Sequence, residues 1–310
     1  MAFAESSNQR VTAGTATSLT WTQVGGDGEP ADPGTVTVDV ARADGSVIAT
    51  GAATVGAGAV ARTYALTAAQ TANIDRLLVS WKVSGTTVAQ TEIDIASTPW
   101  FSNAQLRVAE PILADPAKYT AATITLARLQ VEAFFERITH RRFCPGYRYE
   151  IVEVNGSNPI PVRDNTLNDG SFIILNNVDI RAVRSLKTYN DPRVPLEVFA
   201  AGEVAAMTPS LDGVITRPGN LSFYGKLAEV GYVYGTVSPP ADVLRQAMRL
   251  TREILVESKS QIPDSATTWS STDLGWSAVL LTPGVRGAHT RLPTVNECLD
   301  GNTFEMHGWA

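Results

Sequence analysis

Residues able to do chemistry are sparse and scattered in this chain. Its three histidines, His140, His289 and His307, show neither HxH nor HExxH spacing, so no pair of imidazoles is set for one metal ion. Cys144 and Cys298 are far apart and no third thiol completes a ligand set; they read as free thiols of a reducing cytoplasm. No GxSxG elbow, no GxxxxGK[ST] phosphate loop and no GxGxxG after a strand occurs. Asp164, Asp169 and Asp179 follow at intervals that fit no calcium loop, and Asn165, Asn168 and Gly170 beside them make turns the simpler account. One rival reading assembles a hydrolase site from the dispersed Asp164, Asp169 and His289. The main expectation is a protein that is not an enzyme, with no catalytic residue, no metal and no cofactor. Arg137, Arg141 and Arg142 concentrate positive charge, and two readings stay open for them. They face DNA phosphates passing close by, or they form a solvated helix end that complements the helix dipole.

The elements that would position such groups follow from composition and pattern. With 310 residues the chain is long enough for about two domains. Hydrophobic residues make up 44% and charged ones 18%, which excludes the low-hydrophobicity mix of disordered chains. No apolar run is long enough to span a membrane, and the first ten residues, MAFAESSNQR, lack the charged start and apolar core of a signal peptide. Lys and Arg number 25 against 31 Asp and Glu, a net charge of -6 that argues against a nucleic-acid footprint over the whole surface.

Three regions differ in pattern. Up to about Ile95, period-2 runs such as Thr35 to Val40 and Leu77 to Val83 alternate with Gly25-Gly26-Asp27-Gly28, Asp44-Gly45 and Ser84-Gly85 turns. This predicts an N-terminal immunoglobulin-like β-sandwich over residues 1–98, with Trp81 in its core. Helical spacing then appears over about 102–110 and 120–139, where Ile124, Ala127, Val131, Phe134, Phe135 and Ile138 step by three and four. From about 149 to 235 the period returns to two, and an amphipathic helix is predicted over 241–258 after Pro239-Pro240. Residues 262–310 show no sustained period yet hold Trp269, Trp276 and Trp309, which reads as an extended arm that orders on a partner.

Beyond residue 100 the order of motifs resembles a known family. The helix end Val131-Glu132-Ala133-Phe134-Phe135-Glu136-Arg137-Ile138-Thr139-His140-Arg141-Arg142-Phe143 comes first. Val230-Gly231-Tyr232-Val233-Tyr234-Gly235 with Pro239-Pro240 follows, then Thr282-Pro283-Gly284-Val285-Arg286-Gly287 and Arg291-Leu292-Pro293-Thr294-Val295-Asn296-Glu297-Cys298-Leu299. This is similar to the head-to-tail adaptor (connector) proteins of long-tailed bacteriophages, of the actinobacteriophage type, over about two thirds of the chain. The N-terminal domain is not part of the basic adaptor.

Pattern and resemblance together give an α+β multidomain chain: the sandwich read from its period-2 runs, then, as the resemblance implies, a helical adaptor core over residues 99–261 with a β-rich insertion over about 149–235, and an extended C-terminal arm over 262–310. It implies a structural virion protein in the neck between capsid and tail, assembled in the host cytoplasm. Twelve copies would form a homo-oligomeric ring that binds the portal protein, extends the channel for transient double-stranded DNA and docks the tail terminator or stopper. No membrane is involved. Carried over residue by residue, the portal-binding arm comprises Pro283, Gly284, Arg286, Gly287, Arg291, Leu292, Pro293, Val295 and Leu299. Helix spacing adds Val131, Phe134, Phe135, Leu244 and Met248 as candidates for packing between subunits. An alternative makes the protein a carbohydrate- or host-surface-binding adhesin module of the virion, using Trp21 and Tyr64 of the sandwich as aromatic platforms.

Overall fold

The computed structural model describes residues 9–24, 27–56, 60–155, 172–191, 194–218, 221–257, 268–271, 276–279 and 289–304. In chain order the first strands are β1 (Gln9–Thr12), β2 (Thr17–Val24), β3 (Pro30–Ala31), β4 (Val36–Arg42), β5 (Val47–Ala53), β6 (Val55–Gly56), β7 (Ala61–Leu66), β8 (Asp75–Val83) and β9 (Thr86–Ala96). Helices α1 (Asn103–Ala109) and α2 (Ala121–Thr139) follow. Then come β10 (Gly146–Asn155), β11 (Phe172–Ile174), β12 (Ile180–Asp191), β13 (Val194–Val198), α3 (Ala201–Ala205), β14 (Thr208–Pro209), β15 (Val214–Thr216) and β16 (Leu227–Tyr234). Last are α4 (Ala241–Glu257), the pair β17 (Thr268–Ser271) and β18 (Trp276–Val279), and α5 (Pro293–Asn302).

The chain divides into two units, each built from segments distant in sequence. One holds residues 1–98 and 144–236, the other 99–143 and 237–310. In the first, a five-stranded sheet ordered β1-β9-β8-β4-β5 and a four-stranded sheet ordered β3-β2-β7-β6 share a core. Alternation drives this: Val36, Val38 and Val40 of β4 and Leu77, Val79 and Trp81 of β8 point one way and are buried, while Thr37, Asp39, Leu78 and Ser80 between them are more exposed. Trp21 stacks on Trp81 with ring centroids 6.0 Å apart, and the Trp81 indole donates to Thr91 Oγ1 at 3.0 Å. The same unit contains a seven-stranded sheet ordered β13-β12-β16-β10-β11-β15-β14, with a second core that includes Leu186, Phe199, Ile215, Phe223, Val230 and Tyr232.

This architecture corrects the expected fold class. The molecule is mostly β, with several sheets, and is not a helical adaptor core behind an N-terminal immunoglobulin domain. Two physical reasons stand out. First, the strands of residues 146–234 are long enough to enclose their own apolar core, so they form a body and not a decoration of helices. Secondly, β1 runs parallel to β9 at the sheet edge, and β3 and β6 are two-residue strands, a pattern that simple alternation does not reveal. The C-terminal arm is not simply extended either: residues 268–279 include an antiparallel pair, and α5 is helical.

Candidate assembly surfaces

Two helix starts in the helical unit are capped locally. Ser102 and Gln105 form a capping box at the start of α1, and the Thr120 hydroxyl accepts from the Thr123 N–H at the start of α2. The inner face of α2 buries Ile124, Ala127, Val131 and Phe135 completely or nearly so. Trp100 meets Phe135 and Phe143 edge-on, at 5.9 and 5.3 Å between ring centroids. Glu132 is buried among them; its carboxylate accepts the Trp100 N–H at 3.1 Å and lies 3.5 Å from the Arg128 guanidinium. Large apolar groups are also exposed in this unit: Leu126 on α2 is 59% exposed, Val108 on α1 83% and Ile112, just after α1, 56%. Exposed apolar side chains on neighbouring helical segments are what a partner would cover.

Helix α4 turns Val243, Ala247, Leu250 and Leu255 inward, and α5 returns to it. Val295 and Leu299, one helical turn apart, are fully buried. Asn296 accepts from the Thr290 N–H at 2.8 Å and its hydroxyl at 3.0 Å, and donates to the Thr290 carbonyl at 2.9 Å. Arg249 donates to Thr294 Oγ1 at 3.0 Å, Asn302 to the Asp242 carboxylate at 3.3 Å, and the Phe304 N–H to the Thr139 carbonyl at 2.8 Å. Burial opposes charge on Asp242, but hydrogen bonds from the Val243 N–H and the Asn302 amide outweigh it and hold the carboxyl below its ordinary value. Burial, with the Asp242 charge beside it, pushes the Cys298 thiol up to about 11, which favours the protonated form at neutral pH.

The expected site residues fall into three groups. Pro283, Gly284, Arg286 and Gly287 lie outside the described residues. Val295 and Leu299 fill the core of their own helical unit, whereas Arg291 and Leu292 are half-buried and Pro293 is exposed. Val131 and Phe135 are likewise core residues, and Phe134, Leu244 and Met248 are half-buried. Of the basic cluster, Arg137 is exposed with its guanidinium 5.7 Å above the Phe134 ring, Arg141 is half-buried and Arg142 is 6% exposed. Trp21 and Tyr64, at 7% and 8% exposure, are core side chains and offer no open aromatic platform.

A polar network on the seven-stranded sheet was not legible in the sequence, where Val230, Tyr232 and Tyr234 signal only alternation. Glu229 accepts from Lys187 Nζ and from the Tyr189 hydroxyl, each at 2.7 Å, and Tyr149 is also hydrogen-bonded to it. Burial pushes this carboxyl up, but the three donors outweigh it and hold it below the ordinary value. The phenols of Tyr149, Tyr189 and Tyr232 are shifted upward, chiefly by burial and then by the neighbouring carboxylates. Phenols shifted upward and a carboxylate already holding three donors form a hydrogen-bonded network that ties β10, β12 and β16 together.

For the hydrolase reading, His289 Nε2 lies 3.5 Å from the Asp300 carboxylate, while Asp164 and Asp169 lie outside the described residues. Among the described residues no three His, Cys, Asp or Glu side chains are grouped to hold a metal ion. An open cleft of about 410 Å³ beside β4 and β5 is lined by Thr35, Thr37, Thr54 and Arg62. The Arg62 guanidinium there is already bonded to the Gly34 carbonyl and to Asp32. Among the described residues no helix is long and apolar enough to cross a membrane.

No family model matches the chain, and no curated protein does. Among solved structures, one similar chain belongs to the neck of an empty GTA particle computed with C6 symmetry. It is 14% identical, the match covers 54% of this chain and 82% of that one, and the TM-score is 0.37. A likeness at that level assigns neither a fold nor a role.

Proposed function

We propose that this chain is a structural virion protein of a bacteriophage neck, an adaptor that closes into a ring of identical copies, works without catalysis and sits between capsid and tail. In this reading twelve copies bind the portal, extend the DNA channel and present a surface to the tail terminator or stopper. One observation carries the reading. Two of the segments that resemble adaptor proteins, the end of α2 and the stretch 291–299 that enters α5, lie about 150 positions apart in the sequence, yet α2 and α5 pack with α4 in one helical unit. Val108, Ile112 and Leu126, exposed on that unit, are suited to cover by a neighbouring copy.

Charge supports the same division of labour. The sheet-bearing unit has 13 Lys and Arg against 19 Asp and Glu, and the helical unit has 12 of each, so the whole net charge lies on the former. A wall without excess positive charge lets DNA slide instead of gripping it. Arg291, Leu292 and Pro293, with Pro283, Gly284, Arg286 and Gly287, are proposed for the portal contact; Val295 and Leu299 already serve the chain's own core. Electron microscopy of the purified chain, alone and with a portal ring, tests the proposal. Rotationally symmetric particles that cap the portal are expected. A chain that stays monomeric at high concentration and ignores the portal overturns it.

A further inference from the structure

We infer that α5 is an exchangeable strap, docking in the assembled particle into the α2–α4 groove of an adjacent copy of this chain. This rests on the ring reading. A closed ring of identical copies is built from one heterologous contact, in which two different surfaces of the same chain fit each other. Here α5 and its groove are already such a pair. Val295 and Leu299 are fully buried, Thr294 meets both Gln246 and Arg249, Asn302 meets Asp242, and the Phe304 N–H caps the Thr139 carbonyl. Transfer to a neighbour's groove keeps every one of these contacts and adds a tie between copies.

Chain length leaves the transfer open. α4 ends at Glu257, whereas α5 is held at Asp242, Gln246 and Arg249, in the first half of that helix. Thr290 and Leu292 are held with α5, so with β17 and β18 closed on each other 20 residues of chain, 258–267 and 280–289, separate α4 from the docked segment. That length reaches up to about 70 Å, so covalent connection does not confine α5 to its own copy. As a ten-residue helix with no side-chain cap at its start, α5 is shorter than isolated helices need to persist. Its helicity therefore follows whichever groove it occupies.

The geometry supplies its own test. Cys298 Sγ lies 3.8 Å from the Asp242 carboxylate, so a chain carrying D242C and C144S has one thiol pair that oxidises only where α5 is docked. Particles assembled first and oxidised afterwards are run on non-reducing denaturing gels. A ladder of covalent multimers that collapses with reductant is expected. Particles of the same size that yield only covalent monomers overturn the exchange and leave the ring reading standing. A chain that never assembles, and cross-links only within itself, overturns both. Should the double variant fail to fold by circular dichroism, the pair is divided between two chains, one with C144S alone and one with D242C, C144S and C298S. Covalent dimers in mixed particles then support exchange, and their absence overturns it.

Discussion

Gly231 sits between two strands of the seven-stranded sheet at a point where no side chain fits. A Cβ there would lie 2.3 Å from the Tyr147 hydroxyl and 2.5 Å from Ser185 Oγ. Gly231→Ala should therefore destabilise the protein by about 1–3 kcal/mol, as overpacked positions do. Tyr147→Phe, which removes the nearest atom, should recover part of that loss in the double variant, read from urea unfolding. Nearby, Glu229 makes a prediction about acid. Its folded carboxyl is held below the ordinary value, so it contributes stability that is present above the unfolded value and is lost as pH falls through the folded one. Glu229→Gln should lower stability at pH 7, and the gap from the parent chain should close below about pH 4; a constant gap across that range would count against it. Neither Gly231 nor Glu229 stands out in the sequence, because the partners that constrain them lie on β10 and β12, more than forty positions away in several cases.

At the scale of elements, the helices were the most legible part. Apolar steps of three and four over 120–139 coincide with α2 at Ala121–Thr139, and Pro239-Pro240 stands before α4 at Ala241–Glu257. Short elements were less legible. α5 has only ten residues and a single i, i+4 apolar pair, too little for a period to be counted, and its helix appears because α2 and α4 bury that pair. Leu299→Ala should cost about 2–5 kcal/mol if the site stays closed. More specifically, hydrogen exchange in residues 293–302 should rise while β8 and β16 stay protected, since local opening involves the weakest element first. Equal loss of protection in β16 would mean that α5 is not a separable element. Arg142 gives a related lesson: a basic run at a helix end looks solvated in sequence, but the turn through His140, at φ 53°, takes Arg142 into the interior.

At the scale of the whole molecule, the exposed Val108, Ile112 and Leu126 should matter for assembly and little for folding. Replacing all three with Ser should leave the thermal midpoint nearly unchanged, because exposed positions contribute within about 0.5 kcal/mol each. The same variant should abolish or weaken ring formation by light scattering, and unaltered rings would remove these side chains from the interface. The amino-acid order alone shows where period two and period three-to-four hold, that 310 residues suffice for two cores, and that familiar catalytic and metal-ligand spacings are missing. Those properties depend on neighbours a few residues apart. It takes the folded chain to show that residues 144–236 join the N-terminal strands, that the molecule is mostly β, and that the segment ending in α5 returns to α2 and α4. Such choices depend on which buried faces match across a hundred or more residues, and local alternation carries no information about that match.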